Sequence, residues 1–250
     1  MKFIYQAIAA CFLLSSVAQA NQPVPINLDV EEVFSIENGF DTNDQIEIAV
    51  RGSLPDSCHK LGKGFVRVDH TNKKLFVRVE GYVRNSDICL QMTTPFLEVI
   101  RVGHLAAGRY QVVAENQPEI FGMMNVKPFN NEDQDDFLYA PVDNASLSLI
   151  NTFASGYQHL TLEGTYPFLL KGCMRITEIK TYLTSGNILI VQPVSEIFEE
   201  AYCQDGGADT YNRYKLVKKI DSPILEKGLV HVRTLNGKSL NQLVDFTELK

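Results

Sequence analysis

The sequence predicts an all-β protein of the β-sandwich class. Apolar and polar residues alternate along much of the chain, and turn-forming residues recur about every 8–12 residues, a spacing typical of sandwiches. The alternation is clear where Leu75, Val77 and Val79 are expected to face a core while the residues between them face outward. No long amphipathic helix pattern is present in the sequence. About seven strands in each of two halves, near 100 residues each, suit two tandem immunoglobulin-like (Ig-like) β-sandwich domains.

The N-terminus has the pattern of a secretory signal peptide. Lys2 is followed by an apolar run at residues 3–17, and residues 18–20 read Ala-Gln-Ala, which predicts cleavage before Asn21. A lipoprotein cleavage box before Cys11 is the alternative, but the apolar run continues past it. We therefore expect residues 1–20 to be a signal peptide and the protein to be secreted or periplasmic.

The charge of the mature chain is acidic. Without Lys2 it has 22 basic and 30 acidic residues, a balance of −8. This argues against binding to nucleic acid or to anionic membranes. No later apolar run approaches the roughly 20 residues of a transmembrane helix, so no transmembrane segment is expected in the mature chain.

Four cysteines remain once Cys11 leaves with the signal peptide: Cys58, Cys89, Cys173 and Cys203. An even number in an exported chain favours disulfides. The separations of 31 and 30 residues favour one local disulfide in each half, Cys58–Cys89 and Cys173–Cys203. Closing a loop of this size contributes about 3–4 kcal/mol in the chain-entropy model.

The cysteine pairs belong to a longer internal repeat. Residues 52–55 and 164–167 share the order Gly, hydroxyl, apolar, Pro, and each is followed by a cysteine, a hairpin pattern and a Leu-x-x-Gly at 105–108 or 225–228. The same order of features predicts a duplicated module.

The repeat sets the predicted domain boundaries. These are a first sandwich at residues 21–117, a linker at 118–140 and a second sandwich at 141–250. Prolines and the acidic run at 130–136 indicate the linker, and we interpret that run as a solvated charge cluster rather than a calcium site.

The first copy carries a recurrent pattern. It has Gly-Ser-Leu-Pro-Asp-Ser-Cys at residues 52–58, a second cysteine at Cys89, and Leu-x-x-Gly-x-Tyr-x-Val at residues 105–112. The pattern Gly-x-Leu-Pro-x-x-Cys … Cys … Leu-x-x-Gly-x-Tyr-x-Val resembles uncharacterised secreted or periplasmic bacterial β-sandwich modules. The match is weaker in the second copy, where Tyr166 replaces the leucine. The resemblance implies a β-sandwich fold and export, and it supplies no active-site residue.

Motifs for catalysis, metals and cofactors are missing from the sequence. It has neither the paired histidines of a zinc-protease helix nor a Gly-x-Ser-x-Gly nucleophile elbow. We therefore predict no catalytic residue, no metal ligand and no cofactor. His59 adjoins Cys58, but a disulfide is the favoured state of that cysteine. His231 alternates with Val230 and Val232 in a predicted strand, so we expect it to face solvent.

A glycine-rich insertion in the second copy is the candidate binding loop, and a tolerated surface insertion without a binding role is the alternative interpretation. It follows Cys203, where the first copy has a shorter connection. Tyr211 and Arg213 are residue types enriched at binding hot spots, and a rigid scaffold often presents such loops to partners. The remaining candidate residues of the loop are polar or flexible: Asp205, Gly206, Gly207 and Asp209.

These features favour an exported, non-catalytic binding or structural module of the periplasm or cell surface, with a protein partner of unknown identity. One alternative is a secreted proteinase inhibitor that presents a rigid loop, either residues 52–58 or residues 204–211. Another is a hydrolase with an unrecognised site.

The disulfide pairing is the first testable prediction. Peptide mapping under non-reducing conditions should recover a Cys58–Cys89 peptide and a Cys173–Cys203 peptide, because only these pairings stay within one repeat. A peptide that joins Cys58 to Cys173, or Cys89 to Cys203, would contradict both the pairing and the two-module organisation.

Overall fold

The computed structural model describes residues 23–36, 40–84, 88–129, 137–151, 156–170, 172–198, 212–220 and 225–247. Within these ranges the chain is all-β, with two short 3-10 turns and no α-helix. No helix in the described part is long and apolar enough to span a membrane. The predicted signal peptide at 1–20, the acidic run at 130–136 and Cys203 lie outside the described residues, and their interpretation stays a prediction.

Two sheets form the first half. The strands are β1 (Val24–Leu28), β2 (Val30–Phe34), β3 (Phe40–Asp41), β4 (Ile46–Leu54), β5 (His59–Asp69), β6 (Lys74–Val83), β7 (Thr94–Gly103), β8 (Gly108–Ala114) and β9 (Gln117–Lys127). Sheet I has the order β5-β6-β8-β9, with β1 also beside β6 and β3 beside β9. Sheet II has the order β2-β4-β7. The two sheets enclose a core that contains Leu75, Val77 and Val79, as the alternation predicts.

Two further sheets form the second half. The strands are β10 (Asn144–Asn151), β11 (Gly156–Thr165), β12 (Met174–Leu183), β13 (Ile188–Ile197), β14 (Arg213–Ile220), β15 (Lys227–Thr234) and β16 (Lys238–Asp245), with 3-10 turns at Phe168–Leu170 and Leu235–Gly237. Sheet III has the order β12-β13-β15-β16, and sheet IV has the order β10-β11-β14.

The strand pairings repeat between the halves. Each pairing in sheets III and IV has a counterpart in sheets I and II, including the parallel pair β13–β15, which corresponds to β6–β8. The hairpin turns also correspond, because Lys73 and Asn187 both have positive φ angles, 51° and 55°. The carbonyl oxygen of each accepts an N–H from the parallel strand, from Gln111 at 2.9 Å and from Leu229 at 3.0 Å. The duplication inferred from the sequence therefore has a structural counterpart in the order and direction of the strands.

The repeated glycines occupy matching places. Gly52 on β4 lies opposite Phe96, and Gly164 on β11 lies opposite Tyr214. A Cβ atom at Gly52 would lie 2.4 Å from the carbonyl oxygen of Asp29 and 2.5 Å from the Phe96 ring. At Gly164 it would lie 2.1 Å from the carbonyl oxygen of Pro141 and 2.6 Å from the Tyr214 ring. Each glycine thus leaves room for a crossing backbone and a cross-strand aromatic ring.

The two central strands of sheet III, β13 and β15, are buried on both of their faces. On β13, Leu189 and Val191 pack in the second-half core, whereas Ile188 and Ile190 pack with the first-half core. On β15, Val230 packs in the second-half core and Leu229 packs with the first-half core. The first half therefore covers the face of sheet III that a solitary sandwich would expose to solvent.

The segment predicted as a linker at 118–140 is a strand in its first part. β9 runs from Gln117 to Lys127 and pairs with β8, and Met124 on it is fully buried. Pro118 lies where the register between β8 and β9 is irregular, so its missing N–H breaks no regular ladder. Further along, Tyr139 forms a β-bridge with Val194 of the second half.

The glycine sites make a stability prediction. Gly52→Ala and Gly164→Ala should each lower the free energy of unfolding by about 1–3 kcal/mol, because the added methyl group overpacks against backbone and ring atoms. Gly186→Ala is the matched control, since its Cβ would meet atoms no closer than 3.8 Å and should shift stability by less than about 0.5 kcal/mol. Urea unfolding followed by far-UV circular dichroism measures all three. Equal stability of Gly52→Ala and Gly186→Ala would contradict the close packing.

Candidate binding surfaces

Apolar side chains project into solvent from the segment that joins β6 to β7. Ile88, Leu90 and Met92 are 79%, 64% and 56% exposed. Exposed apolar groups that form a contiguous surface patch often mark an interaction site. Sequence reasoning missed this segment, although its alternate apolar residues were visible.

The segment is fixed at its centre. Cys89 forms a disulfide with Cys58, as predicted. The Ser57 N–H donates to the Leu90 carbonyl oxygen at 3.1 Å, and the Leu90 N–H donates to the Ser57 hydroxyl oxygen at 2.9 Å. Two hydrogen bonds and a disulfide therefore hold Leu90 against the turn before β5. Little conformational entropy remains to be lost when this segment binds a partner.

The turn under this segment is itself tied by Asp56. One carboxylate oxygen accepts the Cys58 N–H at 2.8 Å and the His59 ring Nδ1–H at 2.6 Å. The His59 hydrogen bond is the main reason why the pKa of Asp56 is below its ordinary value. Asp56, Cys58 and Cys89 also form the one close group of metal-type ligand atoms within the described ranges. Both sulfurs are in the disulfide, so we assign no metal site there.

Of the six candidate binding residues in the loop after Cys203, the structure describes one. Arg213 begins β14, opposite Thr165, and is exposed. It lines a surface depression of about 420 Å³ together with Asp143, Glu163 and Lys215. The other loop candidates, Asp205, Gly206, Gly207, Asp209 and Tyr211, lie outside the described residues. The loop therefore stays a predicted binding surface, with a polar depression at its base.

The solvent-facing position predicted for His231 is wrong. His231 is 2% exposed, because the first half covers its face of sheet III. Its ring lies 6.5 Å from the Phe40 ring, measured between centroids. The Nδ1–H donates to the Asn241 side-chain oxygen at 2.7 Å, since the Asn241 amide nitrogen donates to Ser239 and so fixes the oxygen toward the ring.

Charged groups surround this buried junction. Arg233 lies beside His231 on the strand face, stacks over the Phe40 ring at 4.6 Å and pairs with Asp44 at 3.4 Å. Glu47 accepts a hydrogen bond from Ser239 and pairs with Arg101 at 3.5 Å. The two halves are thus joined by buried polar contacts as well as by apolar packing. These contacts form a structural junction rather than a site open to a ligand.

The comparisons with known proteins agree with the sandwich class. Residues 48–122 match the family model of the ORF11 beta-sandwich domain. The match runs from β4 into β9 and includes the Cys58–Cys89 disulfide, so this part of the chain is similar to that domain. No curated protein and no solved structure matches the chain.

Burial of His231 predicts a pH dependence of stability. Desolvation, with a smaller contribution from Arg233, lowers its pKa from 6.5 to about 3. In the unfolded chain the His231 ring takes up a proton as the pH falls below about 6.5, whereas in the folded chain the ring stays neutral down to about pH 3. The free energy of unfolding should therefore be unaffected by His231 above pH 6.5. Below that pH it should fall by about 1.4 kcal/mol for each pH unit, down to about pH 3.

Urea midpoints between pH 7 and pH 4 measure this slope, and His231→Gln is the comparison that removes the titrating group. The wild-type protein should lose more stability on acidification than the variant. Should the variant fail to fold, NMR titration of the wild-type ring gives the same information. A His231 resonance that titrates near pH 6.5 in the folded protein would contradict the argument.

Proposed function

We propose that the chain is an exported, non-catalytic binding module made of two tandem Ig-like β-sandwich domains. The repeated strand order supports two modules, with the first extended to the end of β9 and the second including Tyr139. The signal-peptide pattern at residues 1–20 supports secretion or a periplasmic location. The non-catalytic assignment is part of the proposal, because function has to be argued from a site and the best-defined surface is one for binding.

The exposed apolar segment carries the proposal. Ile88, Leu90 and Met92 are presented next to a disulfide, and Leu90 is held by two hydrogen bonds to Ser57. Exposed apolar side chains gain solvent-transfer free energy on binding, and a backbone that is already held loses little further entropy. A partner with an apolar recess would bury all three.

The proposal is tested with the full chain as bait. Secreted or envelope proteins of the source organism are captured, and a photoreactive amino acid at position 90 identifies the protein in direct contact. The triple change Ile88→Ser, Leu90→Ser and Met92→Ser should weaken capture of that protein by at least about tenfold, since central apolar contacts dominate interface energies. Thermal unfolding should stay unchanged, because these side chains are exposed in the free protein.

A second apolar pair supplies the control. Phe168 and Leu169 in the second half are 79% and 89% exposed. The change Phe168→Ser with Leu169→Ser removes a similar exposed apolar area elsewhere, so capture should be kept. An equal loss of capture in both variants would show that the chain binds by non-specific hydrophobic association, and the proposal would fail.

Proteinase inhibition is the second candidate function, favoured by how Leu90 is held. An inhibitor needs an exposed side chain on a backbone that resists cleavage by being fixed, and a disulfide and Ser57 fix this one. Leucine suits the apolar specificity pocket of chymotrypsin-like proteases, whereas trypsin requires a basic residue. If Leu90 is the recognised residue, the chain should inhibit a chymotrypsin-like protease, and Leu90→Lys should shift inhibition to trypsin. Steady-state assays measure both, and no inhibition of either enzyme would exclude this candidate.

A further inference from the structure

A cleft of about 450 Å³ lies between β2 and β9 of the first half. The volume is within the range of ligand pockets. Val33 from β2, Ile120 from β9 and Ile188 from β13 supply apolar lining. The turn at Ser185 and Gly186 of the second half lines it as well, so both halves contribute to the cleft.

The backbone edges along the cleft are not paired with each other. The Val30 N–H donates to the Gln117 side-chain oxygen at 2.7 Å, and the Ser35 hydroxyl donates to the Met123 carbonyl oxygen at 2.9 Å. These side-chain contacts tie β2 to β9 at two places in lieu of a strand ladder. Between them, neither strand pairs across this edge with any strand of the described ranges. Unpaired edges of this kind accept an added strand.

The lining of the cleft is acidic. Glu31, Glu32 and Glu119 contribute carboxylates, and the lining includes neither lysine nor arginine. Arg51 pairs with Glu32 at 2.9 Å and with Glu31 at 3.9 Å and so offsets part of this charge. Glu119 forms no ion pair with the rest of the described chain. The cleft therefore favours a cationic ligand over an anionic one.

The second half has a smaller counterpart. A cleft of about 240 Å³ lies between β10 and β16, the strands that correspond to β2 and β9. Asp143 is its one acidic lining residue, and that carboxylate accepts a hydrogen bond from Thr165 at 2.7 Å. An opening between these two strands is thus common to both copies. The larger volume and the three carboxylates are specific to the first copy.

We propose that the β2–β9 cleft binds a partner segment as an added strand, with apolar side chains directed to the lining and lysine or arginine side chains directed to the glutamates. Backbone hydrogen bonds to the unpaired edges would give affinity, and alternate side chains would give selectivity. The charge of the lining selects a basic partner sequence. This surface is separate from the segment that carries Leu90, so either proposal can fail while the other stands.

The test uses the full chain and dye-labelled heptapeptides of alternating lysine and valine, with a glutamate–valine heptapeptide as the charge-reversed probe. Fluorescence anisotropy should show binding of the lysine peptide at least about tenfold tighter than that of the glutamate peptide. The affinity should fall several-fold between roughly 50 mM and 500 mM salt, because the glutamates are partly exposed to solvent and their charges are screened. N-methylation of the central residue of the lysine peptide should weaken binding, since it removes a backbone donor.

Variants locate the site. Glu119→Lys should weaken binding of the lysine peptide by at least about fivefold, because it replaces an attraction with a repulsion. Glu178→Lys makes the same charge change on β12, outside the cleft lining, and should leave binding unchanged. Hydrogen exchange should slow in β2 and β9 when the peptide is bound. Equal effects of the two substitutions, equal affinity of the two peptides, or slowed exchange confined to other strands would overturn the proposal, as would no binding at 1 mM peptide.

Discussion

The burial of the two central strands of sheet III on both faces is the constraint on which the rest of the structure depends. A sandwich sheet usually has one face against its partner sheet and the other in water, but β13 and β15 have apolar contacts on each side. Their sequences are consequently apolar at successive positions, as in sheets covered on both faces. The polar contacts of Arg233 and His231 make this packing specific, because the partners Asp44 and Asn241 fix the position of each side chain.

The two halves repeat each other only in part. The strand order, the glycines under aromatic rings and the turns with positive φ recur. Both halves therefore share the same close packing at the glycines and the same turn conformation. The copies differ in what their outer faces meet. The outer face of β13 is covered at the junction, whereas its counterpart β6 in sheet I alternates buried and partly buried residues. Each copy therefore has its own surface chemistry on a common scaffold.

Much of the fold could be predicted from the sequence, because alternation and turn residues act locally. Patterns along the chain predict the core positions of β6, the Cys58–Cys89 disulfide and the order of the repeat. Alternation alone predicts a solvent-facing His231, because it does not reveal that the first half covers that face of the strand. Prolines and the nearby acidic run predict a linker where β9 lies, yet a proline at an irregularity in the ladder is compatible with a strand. The exposure of Leu90 depends on tertiary position, and no local pattern distinguishes it from a core leucine.

The shared sheet has a consequence for the order in which the molecule can mature. Synthesis proceeds from the N-terminus, and domains tend to fold as they emerge. Ile188, Ile190 and Leu229 belong to the core of the first half, yet they are made about 60 to 100 residues after β9 is complete. The core of the first half therefore stays incomplete, with Phe40 and its neighbours uncovered, until β15 has been synthesised. A product that ends before β13 would keep that apolar end open, and exposed apolar surface of this kind promotes aggregation.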